Sequence, residues 1–337
     1  MSGKTIIALA FAATTILVGC NSQDKINDNI LIAAKSDGKW GYVNKQGQLI
    51  IAFQFDNAHS FTGNDLAAVE YKGKWGYLTR DGKFAIRPQF EEAYGFNKID
   101  TVPVKLNGKY RFIDKTGKVI DRPPLDNALP FKNGYAPICM NGKWGYIDKN
   151  FLLVINPQFD FAGFFAENGL ADVLVGTKHG YIDQNGKIVI QPQFSNAGIF
   201  SANGLAKVSN FGKYKYIDET GNFVINQQFD FADDFKENGL AIVKVNGKWG
   251  YIDSTGKYVI KPQFDNAEDF ANGLAPIELN GKWGYINESG KIVIKPQFDD
   301  VWGFNEGLAA VEIDGKWGMI NLKGKFVIKP QFDDIAW

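Results

Sequence analysis

Aspartate is the residue with the most chemical potential in this sequence. It recurs at two fixed places: Asp114, Asp148, Asp183, Asp218 and Asp253 end strand-like runs, and Asp160, Asp230, Asp265, Asp299 and Asp333 follow a Gln-Phe pair. Acid–base catalysis by carboxylates needs two such groups held about 5–10 Å apart with separated pKa values. An active site is normally singular, so near-identical copies spread along a chain predict turn-forming and capping roles instead. Weak calcium binding by Asp233-Asp234 or Asp299-Asp300 is the alternative, although no EF-hand or nonapeptide calcium pattern accompanies them. His59 and His179 have no His/Cys/Asp spacing that suits zinc. Cys139 sits among apolar neighbours in PICM and reads as a buried, inert thiol. Nucleophile-elbow, phosphate-loop and dinucleotide fingerprints are missing from the sequence. No catalytic residue, metal or cofactor is therefore assigned, and the expectation is a protein that is not an enzyme.

The elements that carry these residues are repeats. NGKWGYID at 141–148 returns unchanged at 246–253. Aligning on its aromatic gives Trp40, Trp75, Tyr110, Trp144, His179, Tyr214, Trp249, Trp283 and Trp317, 34 or 35 residues apart. Nine copies of one supersecondary unit fill 30–337. In each, GLAIVKV-like and KWGYID-like runs flank Asn-Gly, a pair suited to a type I′ hairpin turn. A KYVIKPQF-like third strand follows a turn that ends in glycine, and its proline restricts it to a sheet edge. The unit is a three-stranded antiparallel meander. Alternation along KWGYID places Trp249, Tyr251 and Asp253 on one face, Gly250 and Ile252 on the other. Trp40, Trp75, Trp144, Trp249, Trp283 and Trp317 are read as structural, with Gly250 permitting close approach of another backbone or ring. Where the tryptophan becomes Tyr110 or Tyr214, the glycine becomes Arg111 or Lys215, which fits a packing role.

The consensus GLAxVxxNGKWGYIDxxGKxVIKPQFDxAxxFxxN resembles the bacterial WG-repeat, or KWG-repeat, family over everything after residue 29. The resemblance implies an all-β repeat array but no ligand. Two architectures fit nine three-stranded units. An open superhelical solenoid is favoured, because propellers typically have four to eight four-stranded blades and no offset between the chain's ends is visible to close a ring. The alternative is a closed, propeller-like ring.

The N-terminus is of another kind. An apolar run from Thr5 to Val18 ends in Leu17-Val18-Gly19-Cys20, which resembles a bacterial lipobox. Residues 1–19 are read as a lipoprotein signal peptide, Cys20 as the lipidated residue, and the polar stretch up to 29 as a tether. Lipid on Cys20 would hold the protein on a membrane without a spanning helix. Asn21 after the cysteine resembles the default signal for the outer membrane of Gram-negative bacteria.

Lys plus Arg and Asp plus Glu each total 37, so no net field draws this protein to nucleic acid. In an array, consensus positions build the core and copy-to-copy differences decorate it. The segments joining units vary most, and Tyr94, Phe161, Phe165 and Trp302 exceed what the consensus requires. They are candidates for an aromatic groove that takes a glycan or peptide, with extra core filling as the competing account. The functional expectation is a lipid-anchored bacterial envelope protein acting as a binding module or scaffold for a protein or glycan; the alternative is a purely structural envelope component.

Overall fold

Asn246 and Gly247 adopt φ of 50° and 77°, the left-handed pair that a two-residue hairpin turn demands. Around them Ala241–Val245 pairs antiparallel with Lys248–Ile252, which pairs with Tyr258–Phe264. The expected meander is thus present. A computed structural model describes residues 30–61, 65–96, 100–120 and 123–336 of the chain. The signal-peptide, Cys20 and tether readings fall on 1–29, outside the described residues. No helix among the described residues is long and apolar enough to cross a membrane.

Two expectations need correction. Each unit gains a further strand of two residues from the connecting segment, as Phe231–Ala232 pairs with Lys244 and Val243. Among the described residues eight of the nine sheets therefore hold four strands; the third unit has three, Glu92–Ala93, Thr101–Leu106 and Lys109–Asp114. The array is also closed, where an open solenoid was favoured. The C-terminal strand Asp334–Ala336 pairs with Leu31–Ser36 and supplies the fourth strand of the first sheet. The result is a nine-bladed β-propeller. Closure is possible because Asp334–Ala336, three residues long, is the ninth copy of the short connector strand and arrives where the first blade lacks one.

The core consists of nine apolar clusters, one between each pair of neighbouring blades. Between blades seven and eight, Tyr251, Ile260 and Phe264 meet Ala267, Ala275, Ile277 and Ile286. The ninth blade meets the first through Met319, Ile328, Phe332, Ile32, Val43 and Ile335. Trp249 packs beside Tyr251, while Ile252 faces blade six, so the expected alternation holds. Burial is ordered differently from the sequence reading. Tyr251 is 1% exposed, whereas Trp75, Trp144, Trp249 and Trp283 are half-buried and only Trp40 and Trp317 are buried.

Each such tyrosine also ties two blades. Tyr251 donates its hydroxyl to the Glu268 carbonyl at 2.6 Å, in the segment that opens the next blade, and its ring lies 4.8 Å from Phe270. Tyr42, Tyr77, Tyr146, Tyr181, Tyr216 and Tyr285 donate to the carbonyl 17 residues on in the same way. Removing a hydroxyl leaves a shielded carbonyl without its partner. Tyr251→Phe is expected to lower unfolding stability by about 1–3 kcal/mol, read from urea midpoints. Truncation before Asp334 should strip amide-exchange protection from Leu31–Ser36, the strand it pairs with; unchanged protection there would contradict closure.

Candidate functional site

The second residue of the Trp-Gly pair is fixed by its own blade. A Cβ on Gly250 would stand 2.6 Å from the Ile260 oxygen and 2.6 Å from the Pro262 nitrogen. The third meander strand bulges there, as its register jumps between Trp249↔Phe264 and Tyr251↔Ile260. Proline suits the bulge because its nitrogen has no hydrogen to donate. The close approach that Gly250 permits is therefore backbone of the same blade, not packing between units. Blade six has Lys215 for the glycine and Gln227 for the proline, and blade three, with Arg111, shows among the described residues no third meander strand but isolated bridges from Val119 to Ile113 and from Leu125 to Tyr110.

The recurrent aspartates have two structural tasks. Asp253 accepts from the backbone N–H of Thr255 and Lys257 and closes its turn. Asp265 takes the Lys248 ammonium from blade seven and the Asn280 N–H from the hairpin turn of blade eight, at 2.8 Å. Asp333 repeats this across the seam, binding Lys316 at 2.7 Å and approaching the Gly38 N–H at 3.4 Å. The Lys248 hydrogen bond first, then the Asn280 N–H, hold the Asp265 carboxyl below its ordinary value. These contacts exist with the carboxylate charged and weaken as pH falls below that value. Among the described residues no group of three or more His, Cys, Asp or Glu could hold a metal ion.

Histidine and cysteine are placed without catalytic company. His59 lies tilted against Trp75 with ring centroids 4.8 Å apart, and burial lowers its pKa. His179 Nδ1 stands 3.6 Å from an Asp172 oxygen, beyond hydrogen-bond reach. Cys139 is buried, and burial followed by Asp126 raises its thiol pKa, favouring the unreactive protonated form.

The strands' alternation gives the ring two faces. One carries the Asn-Gly hairpin turns and the aspartate ties just described. The other carries the turns that lead from the connecting segments into the blades, and there lies a cleft of about 770 Å³. Four consecutive blades, six to nine, contribute to it, including Phe235, Lys236, Asn238, Asn272, Glu288 and Asn305. Connector phenylalanines make an apolar base, with Phe235 5% and Phe304 2% exposed. Polar groups are braced across blades: Asn238 donates to Glu288 at 3.2 Å and Asn272 accepts from the Gly307 N–H at 2.9 Å. Lys236 pairs with Asp269 at 2.9 Å. Burial opposes the Lys236 charge, but Asp269, Asp233 and Asp234 outweigh it and raise its pKa. Among the described residues the Asn305 amide and the Glu237 carboxylate have no side-chain partner. The cleft therefore offers amide and charged hydrogen-bonding groups over a rigid base, without a nucleophile and base in register.

The sequence-derived aromatic residues do not form this site or any common one. Tyr94 is half-buried at the start of blade three, Phe161 and Phe165 belong to blade five, and Trp302 to blade nine. Phe165 is fully buried, with Tyr146 4.7 Å and Tyr135 4.9 Å away, so it is core and not surface. Phe161 is 36% exposed against Trp144, and Trp302 is 47% exposed. The cleft residues escaped the sequence reading because they sit in ordinary turns. Their one signal is the Asn-Gly pair after the connector phenylalanine, at 238–239 and 272–273.

Glu268, next to the Lys236–Asp269 pair, retains an exposed side chain, yet lost hydration, then Asp300 and Asp269, push its pKa up to about 6. The folded state then holds a proton that the unfolded chain has released, so stability falls as pH rises from 4.5 through about 6. Glu268→Gln should remove this small term: its urea midpoint, referred to the parent's, should climb across that interval and level off above it.

The WG-containing-repeat model matches nine successive segments, 40–75, 75–110, 110–144, 144–178, 180–214, 216–249, 249–283, 283–317 and 317–336. No curated protein matches the chain. Among solved structures, that of a eukaryotic initiation factor is 11% identical with a TM-score of 0.65, over 91% of this chain and 97% of its own. The apo AztD structure from Citrobacter koseri is 12% identical with a TM-score of 0.44, over 91% and 96%. At such identities the first likeness extends to fold alone, and the second carries no further weight. With the family model covering the array from the first tryptophan to the closing strand, this chain belongs to the family of proteins built from WG-containing repeats.

Proposed function

We propose that this protein is a binding module or scaffold, held by lipid on Cys20 at a bacterial envelope membrane, that engages a protein or glycan partner and performs no chemistry on it. The observation that carries this reading is the cleft of about 770 Å³ built from the turns of four consecutive blades. Its size matches ligand sites, commonly about 300–1,000 Å³. Its lining is of the kind that fixes orientation: asparagine amides, one ammonium and carboxylates over buried rings, with Lys236, Asn238, Asn272 and Glu288 held by neighbours. A partner rich in hydroxyl or amide groups, such as an oligosaccharide or peptide backbone, can satisfy those groups simultaneously. The WG-repeat membership and the propeller form fit a module of this kind, and the lipobox-like Leu17-Val18-Gly19-Cys20 motivates the membrane setting.

Two measurements test the reading. Full-length protein carrying Cys20→Ser should incorporate no radiolabelled fatty acid and leave the membrane fraction; the same behaviour in wild type would remove the anchor. That soluble form, screened against glycan arrays and envelope extracts, should retain a partner whose affinity falls about tenfold or more in Asn272→Ala or Asn305→Ala. Failure to retain any glycan or protein would favour a purely structural component.

A further inference from the structure

Blade six departs from the other blades on the opposite face and along its outer edge. Its hairpin turn places Phe211 where sister turns place Asn246 or Asn280. Phe211 has φ of 54° and is 98% exposed. A bulky aromatic residue at positive φ is strained, and an exposed ring is poorly solvated. Nothing in the blade's own packing recovers either cost.

The departures Phe211 and Lys215 lie together: with Lys213, Phe223 and Gln228 they line one cavity of about 200 Å³. Lys215 replaces the glycine of the Trp-Gly pair, and its ammonium lies 4.9 Å from the Phe223 ring centroid, not on a carboxylate. Lys213 is paired with Asp230, so the cavity carries one uncompensated positive charge. Beside it runs the outer strand Phe223–Phe229, with Phe223 43% and Val224 48% exposed. Blades two, four, five, seven, eight and nine have proline in this strand, whereas here Gln227 stands in its place and donates to the Tyr258 hydroxyl. Blade one also lacks the proline, but its Phe53 is turned to Phe332 of blade nine.

We propose that the edge of blade six is a docking site for an extended acidic peptide segment of a partner protein. The peptide's backbone would add to the open strand, an apolar side chain would seat between Phe211 and Phe223, and a carboxylate would meet Lys215. A phenyl ring without a polar handle, beside the edge strand of the sheet, fits a peptide better than a sugar. The proposal rests on reading the ring as a binding module, but it uses a surface remote from the cleft.

The test uses the full-length Cys20→Ser protein and a fluorescein-labelled peptide alternating Glu with Val and Phe. A Lys-for-Glu counterpart and polygalacturonate serve as the other probes. Phe211→Asn and Lys215→Gly install residues of sister blades, so both should fold, with melting temperature unchanged or raised. Each should weaken the acidic peptide at least tenfold, while Asn272→Ala in the cleft leaves it unchanged. The proposal is overturned if the acidic peptide fails to bind, if the Lys peptide binds equally, if polygalacturonate alone binds, or if neither blade-six variant alters affinity.

Discussion

The tyrosine of the WGY triplet is the interaction on which the ring depends. Its hydroxyl reaches a backbone carbonyl 17 residues ahead, across the gap to the next blade, and its ring packs on the phenylalanine that follows. A shielded carbonyl needs a donor, and a buried phenol needs an acceptor. One side chain meets both needs and fixes the spacing between blades. The connecting segment, which has no long strand of its own, is held in place by that bond. Blade three has Phe112 there and blade nine has Met319, so at those junctions apolar contact alone fills the position, with Phe112 5.3 Å from Phe131.

Around this tie the other recurrent residues fall into order. The glycine after tryptophan is small because the bulged outer strand passes directly over it, and the proline of that strand tolerates the bulge because it has no hydrogen to satisfy. Aspartate after Gln-Phe then links the lysine of one blade to the hairpin turn of the next. The half-exposed tryptophan covers the edge of the cluster that the tyrosine fills. Trp249 lies 5.2 Å from Phe231 and beneath the Lys244 ammonium, so it contributes packing without being the centre of the core.

The period, the hairpins and the glycine-terminated turns were legible because each is encoded within a few residues. The two-residue strands were not, since Asn266-Ala267 has no strand signal until it meets Glu278 and Ile277. Closure was present as a clue in the chain's end, where Asp333-Asp334-Ile335 repeats Asp299-Asp300-Val301. By itself the clue is weak, because two residues such as Asp300-Val301 become a strand only on pairing with Glu312 and Val311. Tyrosine was overshadowed by tryptophan for a related reason: area alone ranks tryptophan first, whereas the structure ranks burial together with a hydrogen bond to satisfy. The copies themselves favoured tyrosine, which keeps its position in seven repeats while tryptophan keeps its own in six.

Closing the ring also changes where divergence can be tolerated. An open array needs terminal units with a polar outer face, whereas in a ring every blade is internal and both broad faces of every blade pack on neighbours. Variation is thereby confined to turns, connectors and outer strands. That confinement explains the placement of blade six's exceptions: Lys215 replaces glycine at the periphery, where the side chain reaches Phe223 and solvent, while Tyr216, one residue on, remains fully buried and tied to the Asp233 carbonyl. Adjacent positions on one strand are thus under opposite constraints. Tyr216 is held by the need to join blades, whereas the Lys215 side chain is directed to the outer strand and the cavity beside Phe223.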